Sequence, residues 1–222
     1  MLHLGSIRGT TIDVDFNFTF LVLLFVVINY DERLGIHYAL LWIPILFLSV
    51  LVHELAHAAM IGIFGFGSSN IVLTGMGGVT INRRQAKPWQ DLLISLAGPV
   101  SSFGLWLLSA WIYYNVGYVR QDRMLLALLP QLAWANRVWG IFNLIPVPPL
   151  DGGHAVRDFF RMFLTERTAF LIAIWIAIVG GAAIAVYLLV IQRQIFVSIY
   201  IAFFVYMAFQ QWQQFKETGV PS

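Results

Sequence analysis

Residues 38–64 read YALLWIPILFLSVLVHELAHAAMIGIF, an apolar run long enough to cross a lipid bilayer as one helix. The run contains His53 and His57, with Glu54 next to the first of them. At this spacing the two imidazoles lie one helical turn apart on the same face, where they can bind a single metal ion. Ionisable side chains are costly inside a membrane span, so we interpret this HExxH motif as functional. A pair of structural histidines is the alternative.

The composition indicates an integral membrane protein. Of the 222 residues 59% are hydrophobic and 11% are charged, and the mean hydropathy is +0.79, whereas soluble domains are about 25% charged. The absence of cysteine excludes thiolate metal ligands, disulfides and a cysteine nucleophile. The formal charge of +2, without a dense cluster of lysine or arginine, predicts no nucleic-acid partner.

The apolar segments predict an all-α polytopic membrane protein with about six transmembrane helices and a small membrane-associated β-hairpin. The predicted spans are about 16–30, 38–64, 90–116, 124–146, 168–191 and 194–213. Residues 4–15 favour a short strand at the membrane surface, and SNIVLTGMGGVTIN at 69–82 predicts the hairpin. A flexible glycine loop is the alternative for 69–82. We expect one domain over residues 1–222.

The basic residues predict the orientation in the membrane. If the amino terminus is cytoplasmic, that side holds eight of them, namely Arg8, Arg83, Arg84, Lys87, Arg157, Arg161, Arg167 and Lys216. The opposite side holds four, namely Arg33, Arg120, Arg123 and Arg193. Because basic residues are enriched on the cytoplasmic side, both termini are expected there.

Two imidazoles are too few for a catalytic zinc ion, which has three protein ligands and leaves its fourth position to water. Asp151, just beyond the fourth predicted span, is the candidate for the third. It lies between NLIPVPPL at 143–150 and Gly152-Gly153, and these prolines and glycines are expected to prevent a regular helix and to aim the carboxylate inward. An ordinary turn residue or a helix cap is the alternative. In the predicted topology the second and fourth spans both end in the cytoplasm, so both parts of the site fall toward one leaflet.

With these motifs the sequence resembles the site-2 protease family of intramembrane zinc metalloproteases. The resemblance rests on HExxH within a span, on Ala97-Gly98-Pro99 at the start of the third span, and on residues 143–153. It covers essentially the whole membrane core.

The resemblance implies one Zn²⁺ ion per chain, with His53, His57 and Asp151 as its ligands. It also implies Glu54 as the catalytic base, and Asn143 as a residue that helps to bind the substrate or the oxyanion. In this scheme zinc activates a water for attack on a peptide carbonyl, while Glu54 takes the proton and delivers it to the leaving nitrogen.

Some positions depart from the family pattern. Ser102 stands where relatives commonly have asparagine, and Asp15 where many have histidine, so helix packing or substrate contacts are expected to differ. Relatives often carry a PDZ or CBS domain, and we expect neither within residues 1–222. We expect His154 to support the site or the fold rather than to bind metal, and Arg137 to be paired or to face a wet cavity.

The sequence therefore predicts a zinc endopeptidase that cleaves within or near transmembrane segments of membrane-anchored proteins, either releasing tethered regulators or clearing signal-peptide remnants. Its expected partners are a transmembrane substrate and the lipid bilayer. Its expected location is the plasma membrane of a prokaryote, with access to the active site from the cytoplasm. A transporter or channel that conducts ions along the same buried residues is one alternative. A catalytically inactive binding protein of the same fold is another, and the intact Glu54 argues against it.

Overall fold

A computed structural model describes residues 1–33, 35–82 and 85–220. Arg83 and Arg84, which entered the charge count, lie outside the described residues. The described residues are mostly helical and include one small sheet. The helices are α1 (Phe18–Ile28), α2 (Ile36–Leu40), α3 (Trp42–Ile63), α4 (Pro88–Asn115), α5 (Arg123–Asn143), α6 (Asp151–Arg161), α7 (Glu166–Val190) and α8 (Ile195–Thr218), with a 3₁₀ helix at Gly117–Gln121.

Local sequence signals define several helix ends. Pro88 begins α4, where a missing N–H costs nothing because the first N–H groups of a helix have no partner within it. Thr165 caps α7, with its side chain accepting a hydrogen bond from the N–H of Thr168. Gly219 follows α8 with a φ of 68°, the left-handed conformation that commonly ends a helix.

Within the described ranges, four helical segments are long and apolar enough to cross a membrane: Ile36–Ile63, Pro88–Asn115, Glu166–Val190 and Ile195–Thr218. The predicted count of about six is therefore not confirmed. Helix α1 has 11 residues and is ~16 Å long, about half of the hydrocarbon thickness. Helix α5 is continuous, but its sequence contains polar and charged residues, which include Arg123 and Arg137.

The predicted hairpin at 69–82 is confirmed as β3 (Asn70–Thr74) and β4 (Gly77–Ile81), which pair antiparallel. The region 4–15 forms most of a second hairpin, β1 (Leu2–Ile7) and β2 (Thr10–Val14), rather than a single strand. Strand β2 pairs in parallel with β3, which gives a four-stranded sheet in the order β1-β2-β3-β4 among the described residues. Strand β4 is therefore an edge strand of this sheet.

The described residues fall into two compact units, the first comprising Met1–Gln85 and Ala97–Gly140. Its core joins the sheet to α1 and α3 through Ile12, Phe18, Val50, Ala58, Ile71 and Leu73. A second cluster joins α3 to α5 through residues that include Trp42, Ile45, Leu46, Leu132 and Ala135. Helix α3 is thus packed against the sheet and against α5, and the HExxH motif on this helix is buried.

The second unit comprises Ala86–Leu96 and Ile141–Ser222. The start of α7 lies beside the end of α8, with the rings of Phe170 and Phe215 5.0 Å apart. Val147, in the loop before α6, is completely buried in the same cluster. A Cβ at Gly181 would lie 2.7 Å from a methyl carbon of Val147, so glycine is what allows the loop to approach α7 this closely.

A polar cluster in the second unit joins α4, α6 and α7. Arg161 Nη1 lies 2.8 Å from Asp158 Oδ1 and 3.3 Å from Asp91 Oδ2. Arg157 Nη2 lies 2.7 Å from Glu166 Oε1. Burial raises the pKa of Asp158 to about 6, and its hydrogen bond with Arg161 only partly opposes that rise.

The raised pKa of Asp158 predicts how stability changes with pH. The folded state holds this proton more tightly than an ordinary carboxyl of pKa 3.8, so the stabilisation is full below pH 3.8 and is lost as the pH rises through about 6. The loss amounts to at most ~3 kcal/mol. We expect Asp158→Asn to remove this part of the pH dependence, measured as thermal unfolding in detergent from about pH 4 to about pH 7.5. Asp122→Asn, immediately before α5, is the control. Equal pH dependence in the wild type and Asp158→Asn would contradict the assignment.

Candidate metal centre

Helix α3 brings the three residues of the motif together. His53, Glu54 and His57 are 2%, 4% and 6% exposed, so all three are buried. They belong to a buried side of α3 that also includes Ser49, Val50 and Ile61, spaced three or four residues apart. The centroids of the two imidazole rings are 5.0 Å apart. The predicted placement of both histidines on one face is thus observed.

Gly98 of α4 shows where the two imidazoles point. A Cβ at this position would lie 2.3 Å from His57 Nε2 and 2.5 Å from His53 Nε2. The two Nε2 atoms therefore converge on the surface of α4 at a residue without a side chain. A nitrogen of each ring lies within 4.8 Å of a nitrogen of the other, a separation that one bound ion can bridge.

Ser102 orients the first histidine. Its hydroxyl is fully buried and lies 3.0 Å from His53 Nδ1. A hydrogen bond from Nδ1–H to this oxygen leaves Nε2 as the metal-binding nitrogen, the arrangement commonly found for histidine ligands. The sequence identified Ser102 only as a departure from the family pattern. Its spacing of one helical turn from Gly98 was the available signal, because both residues then share a face of α4.

The side chain of Glu54 lies against β4. Thr80 Oγ1 donates a hydrogen bond to Glu54 Oε2 at 2.8 Å and lies 3.2 Å from the backbone carbonyl oxygen of Glu54. A Cβ at Gly78 would lie 2.3 Å from Glu54 Cγ and 2.5 Å from Oε1. Sequence reasoning missed both contacts, since no local pattern connects β4 with α3.

The donor chemistry of α3 fits a zinc ion. Two buried imidazoles present Nε2 atoms toward one point, the absent side chain at Gly98 leaves space there, and the hydroxyl of Ser102 lies against the rear nitrogen of His53. The ring of Trp139 lies 6.3 Å from that of His53 and covers another side of the motif. One turn earlier, Asn136 of α5 donates from Nδ2 to Ser49 Oγ at 2.9 Å, which fixes α5 against α3.

The other predicted site residues belong to the second unit. Asn143 is the last residue of α5 and is buried, and Asp151 is the first residue of α6 and is half-buried. The prolines keep residues 144–150 irregular as predicted, but Gly152 and Gly153 lie inside α6 and do not interrupt it. A Cβ at Gly152 would lie 2.3 Å from the carbonyl oxygen of Leu144, so the glycines allow the loop to fold back onto the helix. The N-cap of α6 is Leu150, which does not support the alternative of Asp151 as a cap.

Two further residues singled out from the sequence are exposed. His154 is exposed in the first turn of α6. Arg137 is exposed on α5, and its guanidinium lies 5.9 Å from the ring centroid of Trp106. This contact gives the arginine an aromatic partner.

Comparison with known proteins identifies the family. The sequence matches peptidase family M50 over residues 119–189 and the peptidase M50B-like family over residues 18–142. A zinc metalloprotease of Methanocaldococcus jannaschii is 31% identical over 218 residues, which are 95% of this chain and 60% of that protein. Rip3 of Mycobacterium tuberculosis is 36% identical over 112 residues, which are 50% of this chain and 28% of that protein. The solved structure of a site-2 protease from Methanocaldococcus jannaschii has a TM-score of 0.62 and 26% identity, covering 94% of each chain.

The chain spans less than two thirds of the length of either of these curated relatives. Zinc is the metal in the name of the Methanocaldococcus jannaschii protein, so the predicted cofactor is confirmed at the level of the family. These matches do not favour the alternative of an ion transporter. With the M50B-like match covering more than half of its residues, this chain belongs to the M50 family of zinc metalloproteases, the site-2 protease family.

Proposed function

We propose that this protein is an intramembrane zinc endopeptidase that hydrolyses peptide bonds within or near transmembrane segments of membrane-anchored proteins. One observation carries the proposal. His53, Glu54 and His57 are buried on one side of α3, inside a segment (Ile36–Ile63) that is apolar and long enough to span a membrane. Apolar side chains would pack at this position at a lower free-energy cost, so the convergence of two imidazole nitrogens there indicates a function rather than a packing role.

We assign Asp151 as the third metal ligand. With the two histidines it provides two nitrogen donors and one carboxylate oxygen, a set found in zinc hydrolases that keep one position open. As the first residue of a helix that follows a tightly packed loop, Asp151 has a backbone that is rigidly held. Zinc bound by this set would supply the Lewis acidity that activates water and polarises the scissile carbonyl.

The protein's own groups handle the proton and the developing charge. Glu54 takes a proton from the attacking water and returns it to the leaving nitrogen, which converts a poor amide leaving group into an amine. Asn143 offers a side-chain amide N–H to the substrate or to the oxyanion that forms at the carbonyl. Burial of both residues strengthens these interactions because little water competes for them.

The substrate must be partly unwound before it can react. A peptide carbonyl in a transmembrane helix is already hydrogen-bonded, and its release is costly in lipid unless the freed groups find new partners. The outer edge of β4 can provide them, since an edge strand accepts an added strand. The strand lies directly against Glu54, which would bring the unwound segment close to the base.

We also propose the finer topology predicted from the sequence. It has about six spans, both termini in the cytoplasm of a prokaryotic cell, and one protease domain over residues 1–222. The eight-to-four distribution of basic residues supports this orientation. His57 and His53 would then lie ~9 and ~15 Å from the inner end of α3 at Ile63. Water would reach them from the cytoplasm.

Zinc content and cleavage should separate the role of the base from that of the ligand. We expect Glu54→Gln to keep about one zinc per chain and to lose cleavage, because the amide binds no proton at neutral pH. Asp151→Ala should lose both zinc and cleavage, because two imidazoles alone hold the ion weakly. Metal analysis and cleavage of a membrane-anchored test substrate measure the two effects, with Glu217→Gln on α8 as the matched control. Full proteolytic turnover in Asp151→Ala, or wild-type protein without stoichiometric zinc, would refute the proposal.

Gly98 offers a test that changes no ligand. A methyl group in Gly98→Ala would lie 2.3–2.5 Å from both Nε2 atoms, so the metal should be displaced. Gly104→Ala places a methyl on the same helix with nothing within 4 Å. We expect zinc affinity, measured by chelator competition, to fall at least ~10-fold in Gly98→Ala and to remain normal in Gly104→Ala. Equal affinities in the two variants would count against convergence of the imidazoles on one ion.

Strand addition can be tested by disulfide trapping, because the chain has no cysteine of its own. Val79 of β4 and Leu4 of β1 are both about half exposed and lie on opposite edge strands of the sheet. In the Glu54→Gln background we expect Val79→Cys to cross-link with single cysteines near the scissile bond of a substrate, since neighbouring strands bring Cβ atoms within disulfide range. Leu4→Cys should not cross-link. Similar yields at the two edges would argue against pairing with β4.

A further inference from the structure

The carboxylate of Glu54 packs against β4 and is hydrogen-bonded to the strand at one of its oxygens. Oε2 accepts a hydrogen bond from the hydroxyl of Thr80 at 2.8 Å, and Oε1 faces the backbone at Gly78. These two residues are separated by one position, so both face α3 from the same side of the strand. The exposed side chains of Val79 and Ile81 alternate with them on the other side. One face of β4 therefore contacts the side chain of Glu54, the proposed general base.

Gly78 makes this close approach possible. Any Cβ at this position would overlap Glu54 Cγ, Cδ and Oε1, with separations of 2.3–2.6 Å. The carboxylate thus packs directly on the strand backbone. The hydroxyl of Thr80 also lies 3.2 Å from the carbonyl oxygen of Glu54, which ties the strand to the backbone of α3 at the same residue.

The strand that holds the base is itself held on one edge. Strand β4 pairs with β3, whose Ile71 and Leu73 are completely buried in the core formed with α3. At the end of the strand, Asn82 Nδ2 donates to the carbonyl oxygen of Ser68 at 2.6 Å. The outer edge of β4 is the place where the proposed function puts an unwound substrate.

We propose that Thr80 is a positioning residue for Glu54, and that the strand which receives the substrate also orients the base. The Thr80 hydroxyl engages Oε2, which directs proton transfer to Oε1 on the Gly78 side. A substrate strand paired with β4 would lie in register with this carboxylate, so substrate binding and base orientation depend on one element. This inference rests on the proposed function, but the contact between Thr80 and Glu54 can be examined without it.

The decisive comparison is between Thr80→Val, which removes the hydroxyl and keeps a β-branched side chain, and Thr80→Ser, which keeps the hydroxyl. We expect Thr80→Val to lower kcat about 10- to 100-fold with little change in KM, because a misdirected base slows chemistry more than binding. Zinc content should remain normal. Thr80→Ser should recover most of the wild-type kcat.

The matched control is Thr74→Val on the other strand of the same hairpin. The hydroxyl of Thr74 accepts a hydrogen bond from the N–H of Met76 at 3.3 Å, and Thr74 pairs with Gly77 at the turn. This variant loses a hydroxyl from the same hairpin, but one whose hydrogen-bond partner is Met76 rather than Glu54. It should retain the wild-type kcat.

A second readout does not depend on activity. A hydrogen bond shifts the carboxylate stretching band in the infrared spectrum, so the difference between wild-type and Thr80→Val protein should contain a band from Glu54. The same difference measured in the Glu54→Gln background should lack that band.

Three results would overturn the assignment of Thr80: wild-type kcat in Thr80→Val, equal impairment of Thr80→Val and Thr80→Ser at normal zinc content, or an infrared difference that persists in the Glu54→Gln background. Failure of the proposed function would look different. In that case the wild type, Thr74→Val and Thr80→Ser would all lack cleavage, while the infrared difference would still report the contact between Thr80 and Glu54.

Discussion

The arrangement of the first unit depends on one constraint, which is that two imidazoles and a carboxylate lie buried within a single turn of an otherwise apolar helix. Buried polar groups require hydrogen-bond partners, because leaving one unpaired away from water destabilises the folded protein by roughly several kcal/mol. Ser102 meets this need for one imidazole, and Thr80 meets it for the carboxylate. Helix α4 and strand β4 therefore each pack closely against α3, α4 at His53 and β4 at Glu54.

Close approach explains the two glycines that face the motif. A glycine within a helix or strand costs roughly 1 kcal/mol relative to alanine. Any side chain at Gly98 or Gly78 would instead overlap an imidazole nitrogen or the carboxylate. Displacement of a buried ionisable group costs more free energy than the glycine does, so glycine is favoured at both positions. The same reasoning applies to Gly152 in the second unit, where the approaching atom is a backbone carbonyl oxygen.

In the second unit, the two ends of α6 are held by different kinds of contact. The loop before α6 is anchored through Val147 in the core of α7 and α8, which determines where α6 begins and thus where Asp151 lies within this unit. Farther along α6, Arg161 pairs with Asp158 of the same helix, with Asp91 of α4 and with Glu166 of α7. The apolar anchor and the ionic cluster act on opposite ends of the same helix, which holds both ends in position.

The sequence by itself determined the features that local patterns encode. Hydropathy defined the membrane character and α3, helical periodicity placed His53 and His57 on one face, and the glycine-centred β-prone run predicted the hairpin. Two predictions from local patterns differ from the structure. The first apolar segment was expected to span the membrane but contains only the short helix α1, and Gly152 was expected to prevent a regular helix but lies inside α6. Only the tertiary structure decided which residues support the motif. Thr80 is 26 residues from Glu54 and Ser102 is 49 residues from His53, and contacts at such separations arise from packing between elements rather than from any local repeat.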